Sequence, residues 1–348
     1  MKALTLPRPE TIVYEEVCDP ELVYPTDAII RVRATAICGS DLHLYHGRTG
    51  TLSVPMPIGH EYVGVVEATG TSVRKFQVGA RVTGSFFSSC GNCWACARGL
   101  FTQCEALQLF GFGPRLGNLA GTQAERVRIP YADVTLIAVP DDVSDEAGLT
   151  VGDIASTAYF AVDRACIRPG DVVAVVGLGP VGLLAVELAY IFGAAQVLAL
   201  DLVPDRLTQA RQRGAVPIVA NENAEHIVRD VTRGRGADAV IEAVGSADSL
   251  ALAIRVARGF ATISSAGVFT EGKIPVAMAR AFAKDLTLRA GMCNVPAVAS
   301  AVMSLVQKGR LHPERLFTHH LTLSDGERAY QLFSERKALK VLLRTASS

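Results

Sequence analysis

The stretch from Val172 to Asp201, VVAVVGLGPVGLLAVELAYIFGAAQVLALD, limits what this chain can fold into more than any other. Its opening run of β-branched residues suits a parallel strand buried on both faces. By length and apolarity it would also fit a bilayer span. However, Gly177, Gly179, Pro180 and Gly182 interrupt its first half, and Glu187 lies near its middle. These interruptions predict a strand, a tight turn, a helix and a second strand, with no membrane segment. In that reading Gly177 turns the chain, Gly179 leaves a helix N-terminus open to a pyrophosphate, and Gly182 lets helix and strand pack closely. Pro180 and Val181 complete the turn. Asp201 closes the next strand, where a carboxylate accepts the ribose hydroxyls of NAD and repels the extra phosphate of NADP. Arg206, a little further on, is a local cation able to approach a ribose phosphate. The expected cofactor is NAD.

A chain of 348 residues has room for about two domains, and its halves differ in pattern. Up to about residue 150, short segments such as AIIRVRATAIC (Ala28–Cys38), EYVGVVEATG and AERVRIP are separated by Gly and Pro. In the first, Ile30, Val32 and Ala34 alternate with Arg31 and Arg33. This is the pattern of a barrel-like β domain. From about Asp153, buried strands (DVVAVVG, QVLALD, DAVIEAVG, ATISSAG) alternate with helical stretches, including RLTQARQRGA with Gly214 as its stop. Such alternation implies a doubly wound parallel sheet.

Charge excludes one class of function. Thirty-four basic side chains balance thirty-four acidic ones, so a general polyanion binder is not expected. The start, MKALTLPRPE, has no apolar leader region, and the expected compartment is the reducing cytoplasm.

Half of the eight cysteines lie in SSCGNCWACARGLFTQC: Cys90, Cys93, Cys96 and Cys104. Four closely spaced thiolates match a tetrahedral zinc site that is closed to substrate, and hence structural. A redox pair expects one C-x-x-C at a helix start, and a disulfide framework does not suit a reducing compartment. An iron–sulfur centre takes the same four thiolates. A zinc-ribbon nucleic-acid binder would need a basic face, yet Arg98 is the one basic residue of this lobe, with Glu105 beside it. A second donor set is scattered: Cys38, His60 and Asp153. Thiolate, imidazole and carboxylate would neutralise Zn²⁺ and leave one position open. Each also has a plain reading, Cys38 as a small core residue, His60 on a backbone carbonyl, Asp153 as a helix N-cap.

Together, the segment Gly59-His60-Glu61-x2-Gly64-x5-Gly70-x2-Val73, with Cys38, the cysteine lobe, Asp153 and GLGPVG in their order, resembles the zinc-containing medium-chain alcohol dehydrogenases. The resemblance spans essentially the whole chain. It implies an α/β protein with a GroES-like β-barrel catalytic domain (1–153 and 294–348, with the structural zinc lobe at about 88–105) and a Rossmann domain (154–293). It implies two Zn²⁺ per subunit, the catalytic one on Cys38, His60 and Asp153, with Glu61 as a neighbouring acid able to approach the metal. Ser40 and His43 take proton-relay positions, Thr157 packs by the nicotinamide, and Lys340 contacts the pyrophosphate. Asp153, where the mammalian liver-type branch has cysteine, is typical of the shorter microbial branch, often tetrameric. A homo-oligomer is therefore expected, a tetramer rather than a dimer. The expected reaction is reversible, NAD-linked oxidation of primary and secondary alcohols, with formaldehyde and polyol dehydrogenases as alternatives of the same fold. Leu42, Phe86, Trp94, Phe110 and Met292 are candidates for pocket walls, the commoner alternative for each being ordinary core; as walls, their apolar character favours aliphatic or aromatic alcohols over polyols.

Overall fold

The run Val172–Val176 forms a central strand of a six-stranded sheet in which every pairing is parallel. The structure, a computed structural model, describes residues 1–49 and 56–346. It divides into two units, Met1–Ser156 with Asn294–Ser348, and Thr157–Cys293.

In the second unit the strands lie in the order Val216–Val219, Gln196–Asp201, Val172–Val176, Ala237–Glu242, Ala257–Ser265, Thr287–Ala290. By sequence this is 3-2-1-4-5-6, the dinucleotide-binding order, and the direction of winding reverses between Val172–Val176 and Ala237–Glu242. Val173, Val175, Leu198, Leu200, Val240 and Ile241 are all buried, as strands covered by helices on both faces require. The helix Pro180–Ile191 follows the glycine turn, and Pro204–Gln212 stops just before Gly214, whose φ is +85°. The ATISSAG strand extends beyond its expected start. It runs from Ala257 straight out of the preceding helix, with Phe260 at φ +60° and a register shift.

In the first unit Ala28–Ile37 is the hub of a sheet with seven strands among the described residues. It pairs antiparallel with Glu61–Thr69, Arg126–Ile129 and Val341–Arg344, the last of these from the C-terminal piece. Bulges at Ile29/Ile30 and Val32/Ala34 bend the pair Ala28–Ile37/Glu61–Thr69, as closing a barrel demands. The expected alternation holds through Arg33, but Ala34–Ile37 are all buried. The strand's end is thus sunk in the unit's interior, and Cys38 follows it directly.

Candidate active site and metal centres

Cys38 caps the N-terminus of the short helix Gly39–Tyr45. Its backbone N–H donates to Asp41 Oδ2 at 2.9 Å, and that tie sets the helix start. His60 precedes the strand Glu61–Thr69, and Asp153 follows the helix Asp145–Val151. Folding brings one ligand atom from each of Cys38, His60, Glu61 and Asp153 within 4.8 Å of one another. His60 Nε2 lies 3.2 Å from Asp153 Oδ2 and 3.4 Å from Ser40 Oγ. Its Nδ1 lies 3.0 Å from Asp41 Oδ1, an ion-pair contact without the alignment of a hydrogen bond. The ring lies among aromatics, with the Phe112 centroid at 5.4 Å and Phe86 at 6.2 Å.

The electrostatics of the cluster follow from burying several charges together. Burial opposes a charge on His60, but Asp41, Asp153 and Cys38 outweigh it and raise the imidazole well above its ordinary value. Burial, with the Asp153 charge, pushes the Cys38 thiol up to about 11. Glu61 is raised to about 7 by burial, and the nearby Lys340 charge restrains the rise. Burial works to raise Asp153 as well, but its hydrogen bond and attraction to His60 win, and it ends below the carboxylate range. Glu61 Oε2 is buried without a hydrogen-bond donor among the described residues. An orphaned carboxylate oxygen beside a thiol, an imidazole and a second carboxylate is a donor set suited to a divalent cation.

The other cluster is local. Cys90, Cys93, Cys96 and Cys104 bring their sulfurs within 4.8 Å of one another, and no cysteine of the chain is in a disulfide. Cys104 Sγ lies 3.5 Å from that of Cys90 and 4.0 Å from that of Cys93. A zinc tetrahedron with bonds of about 2.3 Å has sulfurs about 3.8 Å apart, so the quartet has its dimensions. The backbone N–H groups of Cys90 and Ala106 donate to Cys104 Sγ, and those of Cys96 and Glu105 draw the Cys93 thiol down to about 6. These contacts favour thiolates locally, while burial raises the Cys104 thiol overall and pushes that of Cys96 up to about 12.

In the glycine turn each residue has its own geometric reason. Gly177 sits at φ +91°, where a side chain is strained. A Cβ on Gly182 would lie 1.8 Å from the Gly177 carbonyl oxygen, so close packing demands its absence. A Cβ on Gly179 would meet nothing, which leaves open space at the helix N-terminus. Pro180 and Val181 form the first turn of that helix, both partly exposed. Asp201 Oδ2 accepts the Leu178 N–H at 2.6 Å, which ties its strand to the turn, and Arg206 stands 3.7 Å away. The cradle fits a dinucleotide phosphate.

Comparison with known proteins identifies the family. Residues 24–141 match the alcohol dehydrogenase GroES-like domain, and residues 180–308 match the zinc-binding dehydrogenase domain. An uncharacterized zinc-type alcohol dehydrogenase-like protein AdhB of Bacillus subtilis (strain 168) is 32% identical, over 99% of this chain and 100% of its own length. This chain belongs to the zinc-type, medium-chain alcohol dehydrogenase family. Alcohol dehydrogenase TADH from Thermus sp. ATN1 has a similar structure at TM-score 0.95 and 44% identity, covering 99% of this chain and 100% of that one. A zinc-binding dehydrogenase from Sinorhizobium meliloti 1021, bound to NADP, matches at TM-score 0.85 and 29% identity, over 99% and 98% of the two chains. The GroES-like and Rossmann folds expected for the family are both present.

Several placements differ from the sequence reading of this dehydrogenase. Lys340, expected on a pyrophosphate, is fully buried in the first unit. Its Nζ donates to Glu61 Oε1 at 2.6 Å and to the Ile37 carbonyl at 3.0 Å, so its charge is spent on the acid beside the donor cluster. Trp94 is 63% exposed, with the Arg98 guanidinium stacked on its ring. Phe110 is wholly buried in the barrel core against Tyr62. Leu42 packs on the cluster around Tyr330, and Met292 lies exposed in the second unit. Of the five candidates, Phe86 alone has its ring against His60. Thr157 is on the helix Ile154–Arg164 and is the first residue of the second unit. His43 is partly buried on the Gly39–Tyr45 helix, and its Nδ1 has no hydrogen-bond partner among the described residues. Asp41 and Phe112 escaped the sequence reading. Asp41 had a local signal as the N3 residue of a helix capped by Cys38, whereas Phe112 had none.

Proposed function

We propose that this chain is a two-zinc, NAD-linked alcohol dehydrogenase that interconverts apolar primary and secondary alcohols with their carbonyl compounds. The observation that carries the reading is the convergence of Cys38, His60 and Asp153, with Glu61, from three separated stretches of sequence. Cys38, His60 and Asp153 would hold a catalytic Zn²⁺, which, when bound, supplies Lewis acidity to an alcohol oxygen. Cys90, Cys93, Cys96 and Cys104 would hold a structural one.

The protein's own residues supply the rest. Asp41 orients His60 from the side away from Asp153. Ser40, whose hydroxyl reaches toward His60, takes the substrate proton, and His43 passes it toward solvent. Burial, with the Arg48 and His46 charges, lowers the His43 pKa, so its imidazole is neutral and able to accept that proton. Glu61, held by Lys340, stands as a spare ligand. Phe86 and Phe112 give the neighbourhood of His60 an apolar character, which favours alkyl and aryl alcohols over polyols and formaldehyde. Gly177, Gly179, Pro180, Val181 and Gly182 cradle the pyrophosphate, and Thr157 packs by the nicotinamide. Asp201, with Arg206 engaged beside it, favours NAD over NADP. The active form is taken to be a cytoplasmic homotetramer.

One experiment tests this reading: zinc per subunit by elemental analysis, with initial rates on primary, secondary and benzylic alcohols and on a polyol, each with NAD and NADP. Two zincs and faster NAD reduction on apolar alcohols are expected. One zinc, or equal rates with both cofactors, would overturn the metal or the Asp201 assignment respectively.

A further inference from the structure

The strand Ala237–Glu242 ends on a carboxylate that has no access to solvent. Glu242 Oε1 accepts the backbone N–H groups of Val244 and Gly245 and the Ser249 hydroxyl, each at 2.8 Å. Its Oε2 accepts the Ser265 hydroxyl at 2.6 Å. A carboxylate is tolerated away from water only when its lone pairs are taken up, and here they are. The donors come from three places. Val244 and Gly245 belong to the loop leaving the strand, Ser249 to the capping box of the helix Ala247–Val256, and Ser265 to the end of the next strand.

These ties converge where the winding of the sheet reverses. Glu242 pairs in register with Val176 on one side and Ser265 on the other, so the three form a row at the carboxyl ends of their strands. Gly177 comes next after Val176, and a Cβ there would lie 2.3 Å from Val244 Cγ2. A Cβ on Gly267 would lie 2.1 Å from the Gly245 nitrogen. The loops following Glu242 and Ser265 therefore lie against each other, and the first also lies against the glycine turn.

We propose that Glu242 is a positioning residue for the half of the dinucleotide that Asp201 does not hold. This rests on the dinucleotide reading above. A dinucleotide crosses the crevice at the reversal point, its pyrophosphate over the glycine turn. With the adenosine ribose at Asp201 on one side, the second nucleotide lies over the ends of Ala237–Glu242 and Ala257–Ser265. Glu242 builds that wall from inside the fold before any ligand arrives, so binding does not have to order it.

The test measures dissociation constants for NADH and for ADP on the full chain, by cofactor fluorescence and calorimetry. ADP occupies only the adenosine half. In Glu242→Gln the amide oxygen still accepts the two backbone N–H groups, and the Ser265 hydroxyl can turn to accept from the amide N–H, so both constants should stay within about threefold of the parent. Glu242→Ala leaves the part-buried Val244 and Gly245 N–H groups and the Ser249 and Ser265 hydroxyls without their acceptor, and should weaken NADH by about tenfold or more, with ADP changed by less than about threefold. Asp201→Ala should do otherwise and weaken ADP and NADH together. Equal losses of ADP and NADH in Glu242→Ala, or no loss of either, would overturn the proposal, as would a Gln variant as poor as Ala. Should Glu242→Ala not fold, Ser265→Ala removes a single tie and should weaken NADH alone by about fivefold; an NADH constant within about threefold of the parent there would count against it. If the parent binds neither ADP nor NADH, the dinucleotide reading fails instead, a separate outcome.

Discussion

The two donor clusters each gather their ligand atoms within 4.8 Å of one another but differ in how they are built. The lobe draws four thiols from one fifteen-residue stretch, Cys90–Cys104, shaped by turns at Gly91 and Gly99, both at positive φ. Its ligands are alike, and four of them close a coordination sphere. The mixed cluster draws from distant stretches, is more deeply buried, and is braced by Asp41 on one side and Lys340 on the other. Identical ligands held by adjacent chain can do little except hold the chain. Unlike ligands set into a prebuilt, low-dielectric pocket can tune an ion that also meets a substrate.

Breaking one ligand in each cluster should separate these roles, and the mixed one should respond more in activity. Cys38→Ser should cut turnover by more than about a hundredfold, beyond the range that outer partners of a metal ligand command, and remove one zinc per subunit with little change in Tm. If turnover persisted, the catalytic assignment would fail. Cys93→Ser should instead remove the lobe's zinc and lower stability by several kcal/mol or about that order, since structural zinc binding is folding free energy. Hydrogen exchange should report opening across Cys90–Cys104, and turnover measured below the unfolding range should survive. An equal loss of turnover in both variants would erase the contrast.

The buried brace sharpens the comparison further. Lys340→Met leaves the Glu61 carboxylate buried beside Asp153 without its cation, at a cost of about 3–5 kcal/mol in urea unfolding. The double variant Glu61→Gln/Lys340→Met should recover much of that loss, and no recovery would mean that the pair is not a unit. Smaller still, Asp41→Asn should weaken zinc at the mixed cluster by about tenfold to a hundredfold and leave the lobe's zinc untouched, as chelator competition would reveal. Last, zinc affinity at the mixed cluster should rise with pH through neutrality. Cys38 and His60 both hold protons there in the metal-free protein, and both must release them to ligate. A flat pH profile would contradict that proton inventory.

The features legible from sequence share a physical cause. GLGPVG was readable because its requirements are local: a positive φ at Gly177 and a missing Cβ at Gly182 are properties of adjacent residues. The cysteine quartet was readable for the same reason. The continuous β-branched runs disclosed strands buried on both faces. Lys340 was misassigned because its partner is 279 residues away, and a lysine in sequence looks like a surface cation until the fold removes it from water. Trp94 and Phe110 part in opposite directions, one exposed and the other in the core, since aromatic character does not say whether a ring faces solvent, core or ligand.

Sequence by itself therefore determined the two fold types, the order of the elements and the kinds of donor atoms available, because these depend on backbone preference and residue chemistry over a few neighbours. Tertiary structure decided which of those atoms meet: that Asp41 stands behind His60, that Phe112 lies near its ring, that Lys340 pairs with Glu61, and that Glu242 gathers a loop, a helix start and a strand end. Each of these depends on long-range closure of the chain, which brings together groups whose energies are set by burial and distance, not by their position along it.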